Sequence, residues 1–381
     1  MIKDEAKVLM IVFLHLGGRY TMLKKKSLKL MAAIITTAVV ALSEISAVGA
    51  ATRDEIAAVK VNANGSNFRY WQKDSAALAK LRAYVKTVTD PQNPEFIPIR
   101  DRIAVFDVDG TLACETAPFC FDFLMMVDRA LYDPNYTASA QDKANARDVE
   151  RDIYARKVTN ETRIKTCASH ASVFSGMTLD EYAAYTKNYL KKPVEGFNHL
   201  KIGEAYFLPM VEVLSYLRAN DFKIFLVSGA DRAYTRVMAE VLPVDSDNIL
   251  GTDYRFVAAN QKDKDGMEYV FTANDKVVRG EFEVKNINMN KVSVMAREIG
   301  KQPVLAFGNS GGDFSMYNYT TTNPHYKTIV FSLLADDTVR EFGKPASAEK
   351  MLKNCEKYGW IPVSMKNDWK TIYGDKVKKS S

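Results

Sequence analysis

The sequence has few cysteines, and their spacing excludes one class of site. Only four of the 381 residues are cysteine, namely Cys114, Cys120, Cys167 and Cys355, and no two are separated by two residues. The lack of a CxxC pair argues against a structural zinc site. An oxidising compartment would allow Cys114 or Cys120 to form a disulfide with Cys167. The sequence leaves that alternative open but favours four small, buried apolar side chains.

The chain also lacks a strong excess of charge of either sign. It has 52 Lys and Arg residues against 46 Asp and Glu, a formal net charge of +6. After residue 50 the balance is closer still, with 45 basic against 43 acidic residues. This composition does not predict a nucleic-acid partner. We expect the basic residues 376–379 to form a short solvated tail.

The apolar runs are shorter than the about 20 residues that a membrane-spanning helix needs. Near the N-terminus, the 13-residue run Leu30–Leu42 follows the basic segment Lys24–Lys29 and precedes small residues up to Ala50. This order is typical of a secretory signal, which we predict over residues 1–50, with Met22 as a candidate start. An uncleaved membrane anchor is the less favoured alternative. The mature protein is therefore predicted to be periplasmic or secreted, with no stable membrane span.

Strand-like and helix-like segments alternate through the rest of the chain. Short β-branched and apolar runs occur at residues 102–106, 223–227 and 303–307, and helix-period segments precede the last two, at 210–217 and 292–299. This alternation predicts an α/β fold, with a Rossmann-like parallel sheet and helices on both faces. Ligands bind such sheets at the carboxyl ends of the strands.

The spacing of these segments predicts the domain organisation. We assign residues 51–95 to an N-terminal helical extension and 96–117 to the first part of the core. Residues 118–207 are too many for a simple crossover, and their helical pattern predicts an inserted cap domain. The second part of the core is then 208–381. Within it, alternating patterns in 253–286 predict a small β-hairpin insertion.

Two carboxylates stand at the end of the first predicted strand, in the stretch VFDVDGTLACE. Asp107 and Asp109 project to the same side, because side chains alternate along a strand, and Gly110 allows a sharp turn beside them. Two such close carboxylates are tolerable where a cation neutralises one and a proton resides on the other. This arrangement suits phosphoryl transfer, with one Asp as nucleophile and the other as acid. A strand followed by an acidic turn is the structural alternative.

Further polar residues follow the other predicted strands. Ser228 offers a hydroxyl and Gly229 a backbone N–H, which together could hold an anion. Lys291, at the start of a predicted helix, could reach the same strand ends and neutralise a phosphate. Asp313 ends the glycine-rich loop Gly308–Asp313, where a carboxylate can approach a hard cation such as Mg²⁺.

In this order the residues resemble the haloacid dehalogenase (HAD) superfamily of hydrolases. DVDGT at Asp107–Thr111 matches the first family motif DxDGT, and the second, third and fourth motifs match Ser228, Lys291 and Gly308–Asp313. The ordered series covers about residues 102–319. A cap between the first and second motifs is similar to the phosphoserine phosphatase-like branch.

The resemblance implies a role for each matching residue. Asp107 would be the nucleophile and Asp109 the general acid and base, with Ser228 and Lys291 as phosphate ligands. Mg²⁺ would be bound by Asp107, the Asp109 carbonyl and Asp313. The presence of Asp109 favours phosphate over halide chemistry, because the dehalogenases of the superfamily do not use this aspartate.

Two positions near the motifs bear on activity and on substrate. Asn309 stands where the fourth motif usually has its first acidic residue; its amide oxygen can bind a cation but contributes no charge. Metal affinity should then be lower, or Asp313 should serve as the direct ligand. Glu115 lies close enough to the nucleophile to contact an amine of the substrate, as the resemblance implies for its counterpart.

The sequence therefore predicts an exported, Mg²⁺-dependent phosphatase that forms an aspartyl phosphate on a small phosphorylated substrate, phosphoserine-like or another phosphomonoester. One alternative is a phosphotransferase on the same scaffold. Another is a catalytically weakened protein that binds a phosphorylated ligand, because Asn309 replaces a carboxylate.

Overall fold

The computed structural model describes residues 50–115 and 120–380. The predicted signal segment lies outside these ranges except for Ala50, whose N–H donates a hydrogen bond to the His199 carbonyl at 2.9 Å. Signal cleavage and a start at Met22 therefore stay predictions. Within the described ranges, no helix is both long and apolar enough to cross a membrane.

A seven-stranded, mostly parallel sheet forms the centre of the described chain. The strands are β1 Ile103–Phe106, β2 Phe197–Asn198, β3 Lys223–Asp231, β4 Ile249–Ala258, β5 Val277–Val284, β6 Leu305–Gly308, β7 Ile329–Leu334, β8 Ile361–Ser364 and β9 Lys378–Lys379. Seven of them pair in the order β5-β4-β3-β1-β6-β7-β8, and β4 with β5 is the antiparallel pair. The predicted Rossmann-like parallel sheet is confirmed, with β1 near its middle.

Helices cover both faces of this sheet. Those described are α1 Arg53–Ala57, α2 Ala76–Thr89, α3 Phe121–Leu131, α4 Ala140–Tyr154, α5 Asn160–Val173, α6 Leu179–Tyr189, α7 Leu208–Arg218, α8 Arg232–Met238, α9 Met289–Glu298, α10 Phe314–Thr321, α11 Pro345–Tyr358 and α12 Met365–Asp368. Ala104 and Phe106 pack into one apolar cluster with residues of α2 and α7. Ile103 and Val105, on the other face, pack with residues of α9, α10 and α11. β1 is therefore buried on both faces, as its unbroken apolar sequence predicts.

The long segment between β1 and β3 is helical. It contains α3 to α6 and returns to the sheet through β2 and α7. The predicted capping box that begins α6 is present, because Glu181 N–H donates to the Thr178 hydroxyl at 3.2 Å and Thr178 N–H to the Glu181 carboxylate at 2.8 Å. The helical content agrees with that of the proposed cap domain.

The predicted hairpin is present but is part of the main sheet. β4 and β5 pair antiparallel, from Asp253 opposite Val284 to Ala258 opposite Val277. The first residues of β4 also pair with β3 in parallel, with Leu226 opposite Ile249. The hairpin thus extends the central sheet at one edge.

The N-terminal extension differs from the prediction of helical content throughout residues 52–95. Helices α1 and α2 are present, but the chain between them is irregular. Asparagine side chains compete with helical hydrogen bonds there: Asn62 N–H donates to the Asn67 side chain at 2.8 Å and Ser66 N–H to that of Asn64 at 3.0 Å. The Trp71 indole N–H anchors the segment to the Pro209 carbonyl at 2.9 Å.

The basic tail is paired rather than simply solvated. β9 pairs antiparallel with β2, with Phe197 opposite Lys379 and Asn198 opposite Lys378. The Lys379 ammonium donates to the Thr338 carbonyl at 2.9 Å and lies 4.2 Å from the centre of the Phe342 ring. The prediction of a merely solvated tail is therefore incomplete: Lys378 is exposed, but backbone and side-chain contacts hold Lys378 and Lys379 in place.

The cysteines fit the favoured alternative of the sequence analysis. All four lie within the described residues, all are buried, and no disulfide joins them. Cys114 and Cys120 belong to one apolar cluster and Cys355 to the other, and Cys120 additionally lines the cavity described below.

A buried charged cluster lies where the helical segment meets β3 and β5. Arg279 donates to the Asp231 carboxylate at 2.6 Å, and its guanidinium lies 4.0 Å from the centre of the Tyr182 ring. The His170 Nδ1 lies 3.7 Å from Asp231, and its ring stacks on Tyr254. Burial opposes ionisation of Asp231, but Arg279 and His170 hold its pKa below its ordinary value.

His170 should make the stability of the protein depend on pH. Burial lowers its pKa to about 3, against the opposite pull of Asp231, while Arg279 and Lys285 add to the lowering. Between about pH 3 and the ordinary value of 6.5, the unfolded chain binds a proton that the folded chain does not, so stability falls as the pH drops. Between pH 7 and pH 5, we expect the free energy of unfolding of the wild type to fall by about 2 kcal/mol more than that of His170→Phe. Urea unfolding at both pH values measures this difference.

The exposed His325 provides the control. The His325→Phe protein should keep the pH dependence of the wild type. Equal losses in the wild type and His170→Phe would contradict the assignment of the acid sensitivity to the buried ring.

Candidate active site

A tight turn after β1 places two aspartates at the carboxyl end of the sheet. Asp107 N–H still donates to the Phe307 carbonyl of β6 at 2.9 Å, and the N–H groups of residues 111–113 then converge on the Val108 carbonyl. Gly110 has a φ of +76°, and a Cβ there would lie 1.8 Å from the Asn309 Nδ2. The turn therefore requires glycine for its conformation and for this close approach.

The first aspartate is held by a buried lysine. The Lys291 Nζ donates to Asp107 Oδ1 at 2.6 Å and to Asp313 Oδ1 at 2.7 Å, and all three side chains are almost fully buried. Burial lowers the pKa of Lys291, but the two carboxylates more than offset it and raise the pKa above its ordinary value. Burial and the Asp313 charge raise the pKa of Asp107 to about 6, although Lys291 acts in the opposite direction. Lys291 therefore stays charged between the two carboxylates.

The second aspartate has an environment that favours its protonated form. Burial raises the pKa of Asp109 well above its ordinary value, and the charges of Asp122, Asp107 and Glu115 raise it further. A protonated carboxyl beside an ionised one is the arrangement that lets one act as nucleophile and the other as acid.

The glycine-rich loop after β6 fixes the position of Asp313. Its Oδ2 accepts hydrogen bonds from the N–H groups of Asn309 and Ser310, both at 3.0 Å. A Cβ at residue 308 would lie 2.8 Å from the Asp313 Cγ, so Gly308 allows the carboxylate to approach the strand end. Both oxygens of Asp313 are thus engaged, one by the loop and one by Lys291.

Asn309 and Glu115 contact each other directly. The Asn309 Nδ2 donates to Glu115 Oε2 at 2.7 Å. Burial, with the Asp107 charge, raises the pKa of Glu115 to about 7. The Asn309 Oδ1 is buried and has no hydrogen-bond partner in the described part of the chain. The sequence placed these residues in separate roles, metal and substrate, and did not foresee the pair.

The segment around the second motif, residues 228–230, contributes backbone groups to the site. Ser228 is fully buried, and its hydroxyl accepts a hydrogen bond from Ala230 N–H at 3.0 Å. Gly229 and Ala230 line the cavity that Asp107 and Asp109 also line, whereas Ser228, predicted as a phosphate ligand, does not line it. β3 continues to Asp231, past the predicted end at Val227, with a shift of register between these two residues.

One cavity of about 200 Å³ brings these residues together. Besides the predicted Asp107, Asp109, Glu115, Gly229, Lys291, Asn309 and Asp313, its lining includes Cys120, Asp122, Phe123, Asn160, Arg163 and Lys285. Sequence reasoning assigned no role to Asp122 or Lys285. The sequence does distinguish Asp122, because it is the one charged residue in the apolar stretch FCFDFLMMV.

The oxygen atoms around Asp107 suit a hard cation. In residues 50–115 and 120–380, no three Asp, Glu, His or Cys side chains are gathered as a ready metal site. The unpartnered Oδ1 of Asn309 is nevertheless an oxygen ligand of the kind that such cations prefer. Five carboxylates and three cationic side chains line the cavity, so it has an excess of negative charge for a cation to offset. The residues present fit a divalent cation bound by oxygen.

Comparisons with solved structures give low similarity. One is a protein of unknown function from Bordetella pertussis Tohama I, with 15% identity, coverage of 69% of this chain and 98% of that chain, and a TM-score of 0.44. A phosphoserine phosphohydrolase-like protein from Francisella tularensis subsp. tularensis SCHU S4 has 14% identity, coverage of 66% and 92%, and a TM-score of 0.37. Cytosolic 5'-nucleotidase IIIB bound to cytidine has 11% identity, coverage of 79% and 89%, and a TM-score of 0.45. We draw no functional conclusion from scores this low.

Sequence comparison is more informative. A search of curated proteins gives no match. The family model for haloacid dehalogenase-like hydrolases matches residues 104–317, which is more than half of the 381 residues. This range contains the aspartates after β1, Lys291 and the loop that carries Asp313. The chain therefore belongs to the haloacid dehalogenase-like hydrolase family.

Proposed function

We propose that the protein is a Mg²⁺-dependent phosphatase that hydrolyses a small phosphomonoester through an aspartyl-phosphate intermediate. One observation carries the proposal: Asp107 is bound to Lys291 at 2.6 Å, while in the same cavity burial and the neighbouring carboxylates raise the pKa of Asp109. A nucleophile and an acid of the same residue type are thus distinguished by their surroundings. A volume of about 200 Å³ suits a small substrate.

In the first half of the reaction, Asp107 is the nucleophile. A carboxylate oxygen of Asp107 forms a bond to phosphorus as the bond from phosphorus to the leaving oxygen breaks. The proton of Asp109 is transferred to that oxygen, so the leaving group departs as a neutral alcohol. Lys291 offsets negative charge on Asp107 and the phosphoryl group, since it already donates to Asp107 Oδ1. Gly229 lies in the cavity wall, where its N–H would donate to a phosphate oxygen, whereas the Ala230 N–H is already bonded to the Ser228 hydroxyl.

In the second half, water replaces Asp107 on phosphorus. Asp109, now ionised, accepts a proton from the water as its oxygen bonds to phosphorus. The bond between phosphorus and Asp107 breaks, which returns the Asp107 carboxylate and releases inorganic phosphate. Asp109 ends the cycle protonated, as it began.

Mg²⁺ would be held by Asp107, the Asp109 carbonyl and Asn309, with Asp313 beside them. When bound, it would supply positive charge that stabilises the phosphate oxygens and the developing negative charge. Because Asn309 contributes no charge and donates to Glu115, we expect Mg²⁺ to bind more weakly than it would to a carboxylate at this position.

Asn309 and Glu115 favour a second candidate function. With Asn309 facing Glu115, and both oxygens of Asp313 engaged, the protein could bind a phosphorylated ligand without turnover. Ligand binding without release of phosphate, in Mg²⁺ or Mn²⁺, would identify this function.

We further propose that the protein acts in the periplasm or outside the cell. The basic, apolar and small-residue order from Lys24 to Ala50 supports this location. Amino-terminal sequencing of the protein from its native host would reveal cleavage near residue 50.

An Asp109→Asn variant tests the mechanism. The nitrophenolate of p-nitrophenyl phosphate leaves without a proton from the enzyme, so Asp107 should still be phosphorylated. The second half needs a base, so the phosphorylated variant should accumulate. Intact-protein mass spectrometry after mixing with substrate and Mg²⁺ should show a gain of one phosphoryl group.

The wild type under the same conditions should release phosphate steadily and show little modified protein. Release that does not require Mg²⁺, or no release at all, would contradict the proposal. A variant that turns over without accumulating the phosphorylated form would contradict the role of Asp109.

A further inference from the structure

A buried carboxylate oxygen of a residue that lines the cavity has no hydrogen-bond partner among the described residues and forms no bond in the proposed reaction. Asp122 lies in the first turn of α3 and is only 4% exposed. Its Oδ2 accepts a hydrogen bond from Asp231 N–H at 3.3 Å. Its Oδ1 has no hydrogen-bond partner in the described part of the chain, and the residue lines the same cavity as Asp107. A buried acceptor left unpaired costs about 1–3 kcal/mol, and more when charged, so a ligand that donates to it gains that amount.

The position of Asp122 assigns it to the leaving group. It comes from a helix of the inserted segment, whereas the groups around phosphorus follow the strands of the sheet. Asp122 and Asp109 line the same cavity. Because Asp109 protonates the leaving oxygen, the leaving group lies in this cavity, where Asp122 offers it an acceptor.

The surrounding charges decide which donor fits. The cationic side chains of Lys285 and Arg163 line the same cavity, and Lys285 donates to the Gly229 carbonyl at 2.7 Å. Although the cavity as a whole has more carboxylates than cations, Lys285 is the charged side chain that acts most strongly on Asp122, so a second cation beside Asp122 would be repelled by Lys285. A hydroxyl can donate to Asp122 and accept from Lys285 or from an amide of Asn160, because it is both donor and acceptor.

We propose that Asp122 binds a hydroxyl of the leaving group, and that the substrate is a small hydroxylated phosphomonoester, such as a polyol phosphate, rather than an aminoalkyl phosphate. This inference rests on the proposed phosphatase activity. It makes Asp122 a residue that selects the substrate and takes no part in the chemical steps.

The experiment compares glycerol phosphate with propyl phosphate, which lacks the two free hydroxyls, in the wild type and in Asp122→Asn. The wild type should have a kcat/KM at least about 10-fold higher for glycerol phosphate. The variant should lose this preference to within about 3-fold, because the cavity-facing acceptor is weakened. Because the Asp122 charge also acts on Asp109, which both substrates use, the ratio of the two kcat/KM values is the readout rather than either rate alone.

Asp128→Asn is the matched control, because this aspartate lies on the same helix but is paired with Lys192 outside the cavity. It should keep the preference. The side chain of the Asp122→Asn variant can still accept a hydrogen bond from Asp231 N–H. Thermal unfolding checks that this variant folds. If that variant does not fold, the wild type decides the question: a preference for aminoethyl phosphate over glycerol phosphate overturns the inference, and the reverse order supports it.

The two proposals fail in different ways. No Mg²⁺-dependent hydrolysis of p-nitrophenyl phosphate by the wild type would refute the phosphatase itself and the inference with it. Hydrolysis of that substrate with no hydroxyl preference, or with a preference unchanged in Asp122→Asn, would refute the role of Asp122 alone.

Discussion

The Asp107→Asn protein should fold normally and release phosphate from p-nitrophenyl phosphate at least about 10³-fold more slowly than the wild type. The amide oxygen can still accept the hydrogen bond that Lys291 donates at 2.6 Å. It is, however, too weak a nucleophile to attack phosphorus. Steady-state rates at saturating Mg²⁺, with circular dichroism as the check on folding, measure the loss.

Asp101→Asn is a matched control for this change. Asp101 also accepts from a lysine at 2.6 Å, in this case Lys301, but it precedes β1 and does not line the cavity. Its asparagine variant should keep wild-type activity. Phosphate release by Asp107→Asn within about 10-fold of the wild type would exclude Asp107 as the nucleophile.

Lys291→Met should be the most destabilising single change in the site. It leaves the buried carboxylates of Asp107 and Asp313 facing each other without the cation that now bonds both. Removing one partner of a buried ion pair costs about 3–5 kcal/mol, chiefly because the remaining charge is uncompensated. Urea unfolding without divalent cation should show this loss, and catalytic activity should fall with it.

Two further variants separate the charge effect from a packing defect. Lys301→Met breaks a pair that is largely exposed at the lysine and should cost less than about 1 kcal/mol. Adding Asp313→Asn to Lys291→Met should recover part of the lost stability, because one of the opposed charges is removed, but it should not restore activity. A Lys291→Met protein as stable as Lys301→Met would contradict the buried bridge.

The features that the sequence predicted are those with local signals. β1 is an unbroken apolar run that ends in DVDGT, so its burial, its turn and its two aspartates follow from adjacent residues. The parallel sheet with helices on both faces likewise follows from the alternation of strand-like and helix-like segments, whereas the order of its strands does not. The family motifs then placed Lys291 and the loop with Asp313 at the same edge of the sheet.

The features that were missed depend on contacts between distant segments. Glu115 and Asn309 are 194 residues apart, and nothing near either one indicates that they are hydrogen-bonded. The burial of Arg279 against Asp231 depends in the same way on how β5 pairs with β4. The sequence predicts helix for the irregular chain after α1, although the asparagines in this segment favour turns.

The pairing of the last strand has a consequence for the order of assembly during synthesis. β1 lies between β3 and β6, so it gains its second neighbour only once residues 305–308 have been made. β2 can pair only later, because its partner strand β9 is Lys378–Lys379. Contacts this distant in sequence slow folding and leave strand edges exposed to wrong partners meanwhile. The contact of the helical insertion through β2 therefore cannot form until residues 378–379 have been made, whereas its contacts with β5 need only the chain up to Val284.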